Sequence, residues 1–502
     1  MPAERVVVIG AGMGGLSAAI DLARQGFDVQ VVERGPAPGG KMREVSVDGA
    51  PIDGGPTVFT MRWAFESLFD DAGASLTDAL TLHTTSVLAR HAWRSGGRLD
   101  LFADTERSAD AIGDFAGARE AAGYRAFCAR SRDIYRTLRE PFIAGQRPSP
   151  LDLVQRVGLS GLGALWRTAP MSTLWSALGD YFHDPRLRQL FGRYATYVGA
   201  SPLQAPATLM LIAHVEQDGV WIVEGGMRRV ADALQQLAER HGATFGFNRH
   251  VDEIIVRAGR VAGVRMADGD VIDCSRVVFN GDVSALGTGL LGAAARPAAR
   301  AIKPAERSLS AVTWCVRGRT RGFPLHHHNV FFAEDYPDEF AAVFKRRSIV
   351  DAPTVYVCAQ DRSDLSDDAS GHAPDRERLL VLINAPADGD TRAFGEAETA
   401  RLADNAFGLM KACGLEIDAA PDACVATTPH GFDRLFPATG GALYGRANHG
   451  SMGSFARPGA ASAIPGLYLA GGSVHPGPGI PMALLSGRRA AERLVADAAR
   501  TR

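Results

Sequence analysis

The sequence feature that most constrains the fold is the stretch GAGMGG at residues 10–15, which directly follows the apolar run VVVI. Four β-branched residues bounded by glycine predict a buried strand of a parallel sheet. Gly10, Gly12 and Gly15 form a G-x-G-x-x-G pattern, which combines a tight turn, room for a pyrophosphate and close packing of a helix on the strand. The helix predicted over 14–25 would direct its first N–H groups at the phosphates. The pattern therefore predicts a dinucleotide site.

The identity of the nucleotide is narrowed by an acid that follows the next predicted strand. This strand covers 27–32 and ends at Glu33, 23 residues after Gly10. A carboxylate at this distance typically accepts hydrogen bonds from both hydroxyl groups of a ribose. Because an acid here disfavours a 2′-phosphate, the sequence favours FAD or NAD over NADP.

Two further glycine clusters separate FAD from NAD. The stretches GPAPGGKMREV (35–45) and DGGPTVF (53–59) stand where an NAD-binding fold normally continues into a third strand and helix. They resemble the amino-terminal signature of two-dinucleotide-fold flavoproteins, the superfamily of amine oxidases and carotenoid desaturases. The resemblance implies that FAD is the cofactor. It places the second glycine pair against FAD and the Gly-Pro-Thr turn near its isoalloxazine ring.

The other end of the chain repeats the arrangement of strand, glycine loop and helix. In GLYLAGGSVHPGPGIPMALLSGRRAAERL (466–494), a strand over 467–470 leads to a helix that starts at about residue 481. A helix N-terminus at the flavin would favour the negative charge that the ring gains on reduction. The segment resembles the carotenoid desaturase signature of the phytoene desaturase type. Gly471 and Gly472 stand where many related flavoproteins have Gly-Asp, which argues against an amine oxidase.

Motifs and resemblance together give the expected cofactor-binding residues. Val251 is included because the family contacts adenine through the backbone at this position. The full set is Gly10, Gly12, Met13, Gly14, Gly15, Glu33, Arg34, Gly40, Lys41, Gly55, Pro56, Thr57, Val251, Gly471, Gly472, Gly479, Ile480, Pro481 and Met482.

Several stretches resemble one branch of the family, the 1-hydroxycarotenoid 3,4-desaturases, also called methoxyneurosporene dehydrogenases. They are GPTVFTMR, GVWIVEGGM, PLHHHNVFF, FPATGGALYGRANHG and SVHPGPGIPMALLSGR. The resemblance runs from residue 5 to about 495. It implies an oxidoreductase that desaturates an acyclic 1-hydroxycarotenoid at C3–C4 in bacterial carotenoid biosynthesis. A hydride would pass to flavin N5, and a proton would leave the adjacent carbon to water, a carboxylate or an imidazole.

Two alternatives remain open at this stage. One is a phytoene or neurosporene desaturase of the same family. The other is an isoprenoid-binding chaperone of the GDP-dissociation-inhibitor (GDI) type, which shares the fold but not the flavin. Intact flavin glycines at both ends of the chain argue against the chaperone.

The chain of 502 residues is longer than one hydrophobic core usually serves. We expect an α/β (α+β) fold of the amine oxidase and GDI type, with a Rossmann-like FAD domain and a substrate domain. The FAD domain is predicted over 1–85, 225–290 and 420–502. The substrate domain is predicted over 86–224 and 291–419.

Catalytic residues are harder to predict, because the chemistry relies mainly on FAD and on positioning. Asp152 lies in an apolar stretch, where desolvation would raise its pKa and suit it to proton transfer, although an exposed helix N-cap after Pro150 is the favoured interpretation. Arg62 and His449 lie in the motifs of the branch and are candidates to face the hydroxylated substrate end. The run His326–His328 invites a metal, but consecutive strand residues point to opposite faces, so we expect none.

Composition limits the partners and the location. A net charge of −2 provides no basic excess for nucleic acid. The six cysteines lack zinc-site spacing, and no apolar run reaches the length of a membrane span, so we expect a cytoplasmic protein. The stretch 151–178, with Trp166 and Trp175, is expected either to lie on the inner or photosynthetic membrane surface or to form core-facing helices. The expected partners are an acyclic carotenoid and, as electron acceptor, oxygen or a quinone.

Overall fold

The computed structural model describes residues 4–158, 163, 165, 168, 171–362 and 375–501. Trp166 lies outside the described residues. Within them the strands are β1 Arg5–Ile9, β2 Asp28–Val32, β3 Glu44–Val47, β4 Ala50–Asp53, β5 Leu82–Thr84, β6 Val87–Trp93, β7 Arg98–Phe102, β8 Trp221–Val223, β9 Thr244–Gly246, β10 Val251–Arg257, β11 Arg260–Met266, β12 Val271–Asp273, β13 Arg276–Phe279, β14 Ser310–Arg321, β15 His328–Phe332, β16 Val355–Ala359, β17 Glu377–Ala385, β18 Glu416–Asp418, β19 Cys424–Thr427 and β20 Leu467–Leu469.

The α-helices, numbered in chain order, are α1 Met13–Ala23, α2 Arg62–Asp71, α3 Leu76–Ala79, α4 Thr105–Ala116, α5 Ala118–Leu138, α6 Pro150–Val157, α7 Leu174–Leu178, α8 Pro185–Gly192, α9 Leu211–Gln217, α10 Arg228–Arg240, α11 Val283–Thr288, α12 Tyr336–Ala341, α13 Glu396–Ala412, α14 Pro429–Leu435 and α15 Ile480–Thr501. Short 3₁₀ segments include Arg193–Val198 and Gly453–Ala456. None of the described helices is both long enough and apolar enough to span a membrane.

A parallel sheet of five strands, in the order β20-β13-β1-β2-β9, organises the nucleotide-binding part. Its strands come from three separate stretches of the chain, all within the pieces predicted for the FAD domain. Their β-branched residues are buried because α1 covers the sheet, and every residue of α1 is buried against it, α10 or α15. The antiparallel sheet β10-β11-β12 turns at 258–259 and 268–269.

An eight-stranded sheet forms the core of the second lobe, in the order β18-β14-β17-β16-β15-β6-β7 with β19 also paired to β14. One of its faces, which includes Trp314 and Phe331, packs on α13. On the other face, Thr313, Tyr356 and His91 belong to a single cross-strand row. This second face is therefore partly polar. Strand β19 lies within 420–502, so the sheet extends past the boundary predicted at residue 420.

Candidate active site

The cofactor cradle begins where β1 passes into α1. Gly10 has φ +96°, a left-handed conformation that favours glycine. A Cβ atom on Gly15 would lie 2.0 Å from the carbonyl oxygen of Gly10, and one on Gly12 would lie 2.9 Å from the side-chain nitrogen of Asn280. Side chains are thus excluded where the helix starts. The first N–H groups of α1 remain directed at an approaching pyrophosphate.

Glu33 is held at the far end of this cradle. One oxygen of its carboxylate accepts from the N–H of Ala11 and the other from the N–H of Gly35, each at 2.7 Å. The N–H of Arg249 donates to the carbonyl of Glu33, so Val251, two residues later, starts β10 beside the same end. The carboxylate is oriented before a ribose arrives. This arrangement fits the nucleoside half of FAD.

The two ends of the chain meet at the middle of the cradle. A Cβ atom on Gly14 would lie 2.7 Å from the backbone nitrogen of Gly471. Ser17 donates to the carbonyl of Leu484 at 2.7 Å, and a Cβ atom on Gly487 would lie 1.9 Å from the carbonyl oxygen of Gly14. Helices α1 and α15 therefore cross in direct contact. Their N-termini lie together, as a single dinucleotide bound by both would require.

Two side chains that brace this junction were missed by the sequence reasoning. Asn280 follows β13 and donates to the carbonyl of Gly10 at 3.1 Å. Arg457 is almost fully buried and donates to the carbonyls of Gly472 at 3.0 Å and Arg446 at 2.6 Å. Burial lowers the pKa of Arg457 to about 10. A polar residue directly after a buried strand was the available signal for Asn280, but no local pattern marked Arg457.

An internal space opens next to the junction. Five residues lie deep inside the protein, yet their surfaces are only partly covered, from which we infer that they line a space within it: Lys41, Arg193, Tyr197, Tyr356 and Tyr444. Lys41 donates to the carbonyl of Leu443, and burial lowers its pKa despite a nearby acid. Lys41 follows the glycine pair of the cradle and Tyr356 lies in β16 of the second lobe, so both parts of the protein contribute to this lining.

A chain of hydrogen bonds crosses one wall of this space. The hydroxyl groups of Thr57 and Tyr356 are 2.7 Å apart, and the Tyr356 hydroxyl is 2.8 Å from Nδ1 of His328. Burial raises the pKa of Tyr356 well above its usual value and lowers that of His328 well below its usual value. Both side chains are therefore neutral near pH 7. In that state Tyr356 can donate to His328, which can accept a proton.

A second polar group lies on the 3₁₀ segment Arg193–Val198. The guanidinium of Arg193 donates to the hydroxyl of Tyr197 at 3.3 Å, and Tyr197 donates to a carboxylate oxygen of Glu216. The other oxygen of Glu216 accepts from Tyr194 at 2.7 Å. Nε of Arg193 is buried and has no hydrogen-bond partner within the described part of the chain. Sequence reasoning missed this group because it depends on contacts between distant segments.

The expectation of a raised pKa at Asp152 is wrong. Asp152 is exposed in the first turn of α6, where it forms a capping box with Ser149: each residue accepts from the backbone N–H of the other, at 2.9 and 3.1 Å. These hydrogen bonds lower the pKa of Asp152. An ionised, exposed capping carboxylate is not suited to take a proton from a buried polyene, so Asp152 leaves the set of catalytic candidates.

The two other catalytic candidates are placed separately. Arg62 starts α2, forms an ion pair with Glu66 at 2.7 Å and has its guanidinium carbon 6.0 Å from the ring centre of Trp221. His449 accepts from the N–H of Ser201 at 3.0 Å, and burial lowers its pKa to about 4. Neither contact shows a role toward substrate. Both assignments remain predictions.

His475, in the carboxyl-terminal glycine loop, has a structural role. Its Nε2 lies 3.2 Å from the carbonyl of Gly145, and burial lowers its pKa to about 4. The neutral ring donates to this carbonyl and ties the loop to the second lobe.

Arg34, one of the predicted cofactor-binding residues, is exposed and donates to the carbonyl of Leu435, so its side chain already has a protein partner.

Strand alternation does not separate the neighbouring histidines of the run, contrary to the expectation from sequence. Strand β15 begins only at His328, so strand alternation does not separate it from His327, and their ring centres lie 4.6 Å apart. Candidate ligand atoms of His327, His328 and Cys358 lie within 4.8 Å of one another. Nδ1 of His327 contacts the carbonyl of Arg362, and Nδ1 of His328 contacts Tyr356. Hydrogen bonding accounts for these orientations, so no metal is proposed.

The fold and the cradle define a two-lobed flavoprotein, in which both ends of the chain contribute to the cradle. The chain belongs to the flavin containing amine oxidoreductase family, whose model matches residues 13–495. The predicted fold class, family and cofactor are thereby confirmed.

Three curated relatives are similar over nearly the whole chain. A hydroxyneurosporene desaturase of Rubrivivax gelatinosus is 55% identical over 98% of this chain and 93% of its own. A second hydroxyneurosporene desaturase, from Cereibacter sphaeroides, is 43% identical over 99% and 98%. A zeta-carotene-forming phytoene desaturase of Myxococcus xanthus is 31% identical over 98% and 94%.

Solved structures agree on the fold. Putrescine oxidase with bound putrescine has a TM-score of 0.59 at 16% identity, covering 98% of this chain and 99% of its own. An oxidoreductase of Methanosarcina mazei has a TM-score of 0.59 at 16% identity, covering 97% and 100%. At these identities the likeness extends to the fold alone.

Proposed function

We propose that this chain is an FAD-dependent desaturase that introduces a double bond at C3–C4 of an acyclic 1-hydroxycarotenoid in bacterial carotenoid biosynthesis. The observation that carries the proposal is its 55% identity over 98% of the chain to a hydroxyneurosporene desaturase. The internal space beside the cofactor cradle supports it, because an apolar substrate needs a water-poor site next to the flavin.

FAD, when bound, supplies a two-electron oxidant that accepts a hydride. The glycines of both chain ends would hold its pyrophosphate and flavin, and Glu33 its ribose. The protein must then receive the proton that leaves the adjacent carbon. We propose that this proton passes to the oxygen of Tyr356 as the Tyr356 proton moves to Nδ1 of His328, with Thr57 orienting the phenol.

The lowered pKa of His328 has a consequence for this step. A buried neutral imidazole is free to accept a proton but holds it weakly, so the proton is readily passed on. The cation left on a polyene is delocalised along the chain, and the loss of its proton needs no strong base. A weak neutral acceptor therefore suffices.

The proposed location is the cytoplasmic face of a membrane, where the substrate dissolves. Helix α6 carries Leu151, which is 76% exposed, and Val154, while its Leu153 is buried. Met452 is also exposed and belongs to the turn before Phe455, whose backbone carbonyl accepts from Arg147 near α6. These apolar side chains would insert at the interface. We therefore propose that α6 is the membrane-surface segment expected within 151–178.

The assay is desaturation by the purified protein with FAD and liposomes, offered 1-hydroxyneurosporene or phytoene in parallel. We expect only the hydroxylated polyene to shift its absorption to longer wavelength. Conversion of phytoene at the same rate would contradict the proposal. Anaerobic reactions with and without an added quinone distinguish oxygen from a quinone as electron acceptor.

Membrane binding is tested by flotation of the protein with liposomes. The double substitution Leu151→Asp and Val154→Asp should abolish flotation, because it places charge where insertion is proposed. The control is Val271→Asp, at an exposed apolar position in β12 of the nucleotide-binding part. Equal flotation of both variants would remove α6 from the proposed interface.

A further inference from the structure

Arg193 places a charged side chain at a space that is proposed to hold a hydrocarbon. Arg193 and Glu216 carry opposite charges, yet the hydroxyl of Tyr197 stands between them: it accepts from Arg193 and donates to Glu216. The guanidinium carbon also lies 5.1 Å from the ring centre of Tyr197. Glu216 thus balances the charge of Arg193 without occupying all of its donors.

Most donors of this guanidinium have no partner in the described part of the chain. Among the described residues Arg193 donates only through Nη2, to Tyr197, and Nε is buried without a partner. The side chain as a whole is only partly covered, so its uncovered donors border the internal space. A buried donor without an acceptor is costly, and a charged one more so. The structure therefore contains a site that gains from a ligand with an acceptor oxygen.

The position of Arg193 relative to the cofactor cradle can be traced through its neighbours. The segment 193–198 ends at Gly199, where a Cβ atom would lie 2.5 Å from the ring of Tyr444. Tyr444 follows Leu443, whose carbonyl accepts from Lys41. Burial raises the pKa of Tyr356, which bonds to Thr57, and the positive charge of Arg193 offsets a small part of that rise. Arg193 thus borders the cradle end of the space.

The covalent structure of the substrate requires such a position. In a 1-hydroxycarotenoid the hydroxyl oxygen is attached to C1, only three bonds from C3 of the C3–C4 unit. A group that binds this oxygen must therefore lie close to the reacting carbons and cannot lie at the remote end of a long tunnel. Arginine offers donors only, so it recognises the oxygen and finds no acceptor on a hydrocarbon.

We propose that Arg193, held by Tyr197 and Glu216, binds the hydroxyl oxygen of the substrate and selects hydroxylated over non-hydroxylated carotenoids. The inference rests on the proposed function. A hydrocarbon in the same place leaves the guanidinium donor unpaired, so discrimination arises from exclusion as well as from binding.

The experiment compares 1-hydroxyneurosporene with neurosporene in anaerobic single-turnover reactions of the holoenzyme, followed by loss of the visible flavin absorbance. Its dependence on substrate concentration yields an apparent Kd and a limiting rate for each polyene. For Arg193→Met we expect the ratio of affinities for the two polyenes to fall by about 10- to 100-fold, as for the loss of a charge-assisted hydrogen bond. The limiting rate with bound hydroxylated substrate should change much less.

Three further variants keep the test decisive. The pair Arg193→Met with Glu216→Gln removes both charges, so it should lose discrimination equally even if the single variant folds poorly. Arg193→Lys keeps a donor and should retain part of the discrimination. Arg186→Met, in α8, removes an arginine paired with Asp184 outside this group and should leave discrimination unchanged.

Two results would overturn the inference. One is that Arg193→Met, folded and loaded with FAD, still prefers the hydroxylated polyene as strongly as the unmodified chain. The other is an equal fall in the limiting rates for both polyenes, which would place Arg193 at the flavin. Failure of the unmodified chain to desaturate any hydroxylated carotenoid is a different result, because it contradicts the proposed function itself.

Discussion

The contact between α1 and α15 can be tested without touching a residue that faces the cofactor. Gly487 lies in the third turn of α15, and a Cβ atom there would stand 1.9 Å from the carbonyl oxygen of Gly14 and 2.2 Å from Oγ of Ser17. Ordinary contact begins near 3.4 Å, so Gly487→Ala must separate the helices by about 1.5 Å. Because the N-termini of both helices form the cradle, the separation should also widen it.

The magnitude follows from two opposing terms. Alanine stabilises a helix relative to glycine by roughly 0.5–1 kcal/mol. Overpacking costs about 1–3 kcal/mol, and the upper end applies because the contacted oxygen belongs to the backbone and cannot rotate away. The expected net loss in the free energy of unfolding is about 2 kcal/mol. We also expect FAD affinity to fall about tenfold, which corresponds to about 1.4 kcal/mol.

The assay is urea unfolding of the FAD-loaded protein, together with fluorescence titration of the cofactor-free protein with FAD. Gly408→Ala provides the matched control, since it replaces an exposed glycine in the middle of α13 with nothing within 4 Å of the new Cβ atom. It should stabilise the protein slightly and leave FAD affinity unchanged. If Gly487→Ala proves as stable as this control and binds FAD equally, the two chain ends do not form one rigid cradle.

Three further predictions follow from single side chains. Glu33→Gln should weaken FAD binding about tenfold or more in the same titration, because it removes the charge of the oriented ribose acceptor. Tyr356→Phe should slow desaturation while leaving FAD affinity unchanged, and an unaltered rate would exclude the proposed relay. The pKa of His475 is about 4 in the folded protein and 6.5 in the unfolded chain. As the pH falls, the unfolded chain therefore binds a proton at His475 before the folded protein does. Its contribution, of the order of 3 kcal/mol, should be lost between about pH 6.5 and pH 4, and His475→Gln should flatten that part of the stability profile in urea.

The nucleotide site could be predicted from sequence because its geometry is local. A strand, a tight turn and a helix N-terminus follow one another within residues 5–23, and the glycines are required by contacts between near neighbours, such as Gly15 against Gly10. The carboxyl-terminal strand, loop and helix are equally local. The contact between the two ends of the chain at Gly14 and Gly471 could be expected, because both ends carry motifs typical of binding to the same flavin.

The second lobe could not be predicted in the same way. The row that contains Thr313, Tyr356 and His91 depends on the register of strands far apart in sequence, and alternation within one strand does not reveal its neighbours. Asp152 shows an error of a different kind, in which a local contact was overlooked. Its apolar neighbours in the sequence suggested burial, whereas the local capping box keeps it in solvent. Strand β15 starts at His328, one residue after His327. Strand alternation therefore does not separate these two histidines, and they can approach each other.

The polar groups of the internal space have a physical purpose that apolar packing alone cannot supply. A polyene in an apolar tunnel makes nearly the same contacts when it shifts along its length, because dispersion contacts are individually weak and non-directional. A hydrogen bond is directional and short-ranged, so one bond at the end of the polyene fixes which carbons stand beside the flavin. If Arg193 holds the hydroxyl oxygen and Tyr356 lies beside the reacting carbons, binding and regioselectivity arise from the same contact. The hydrogen bond then sets the position of the polyene along its length, and the apolar side chains have only to shape the remainder of the space.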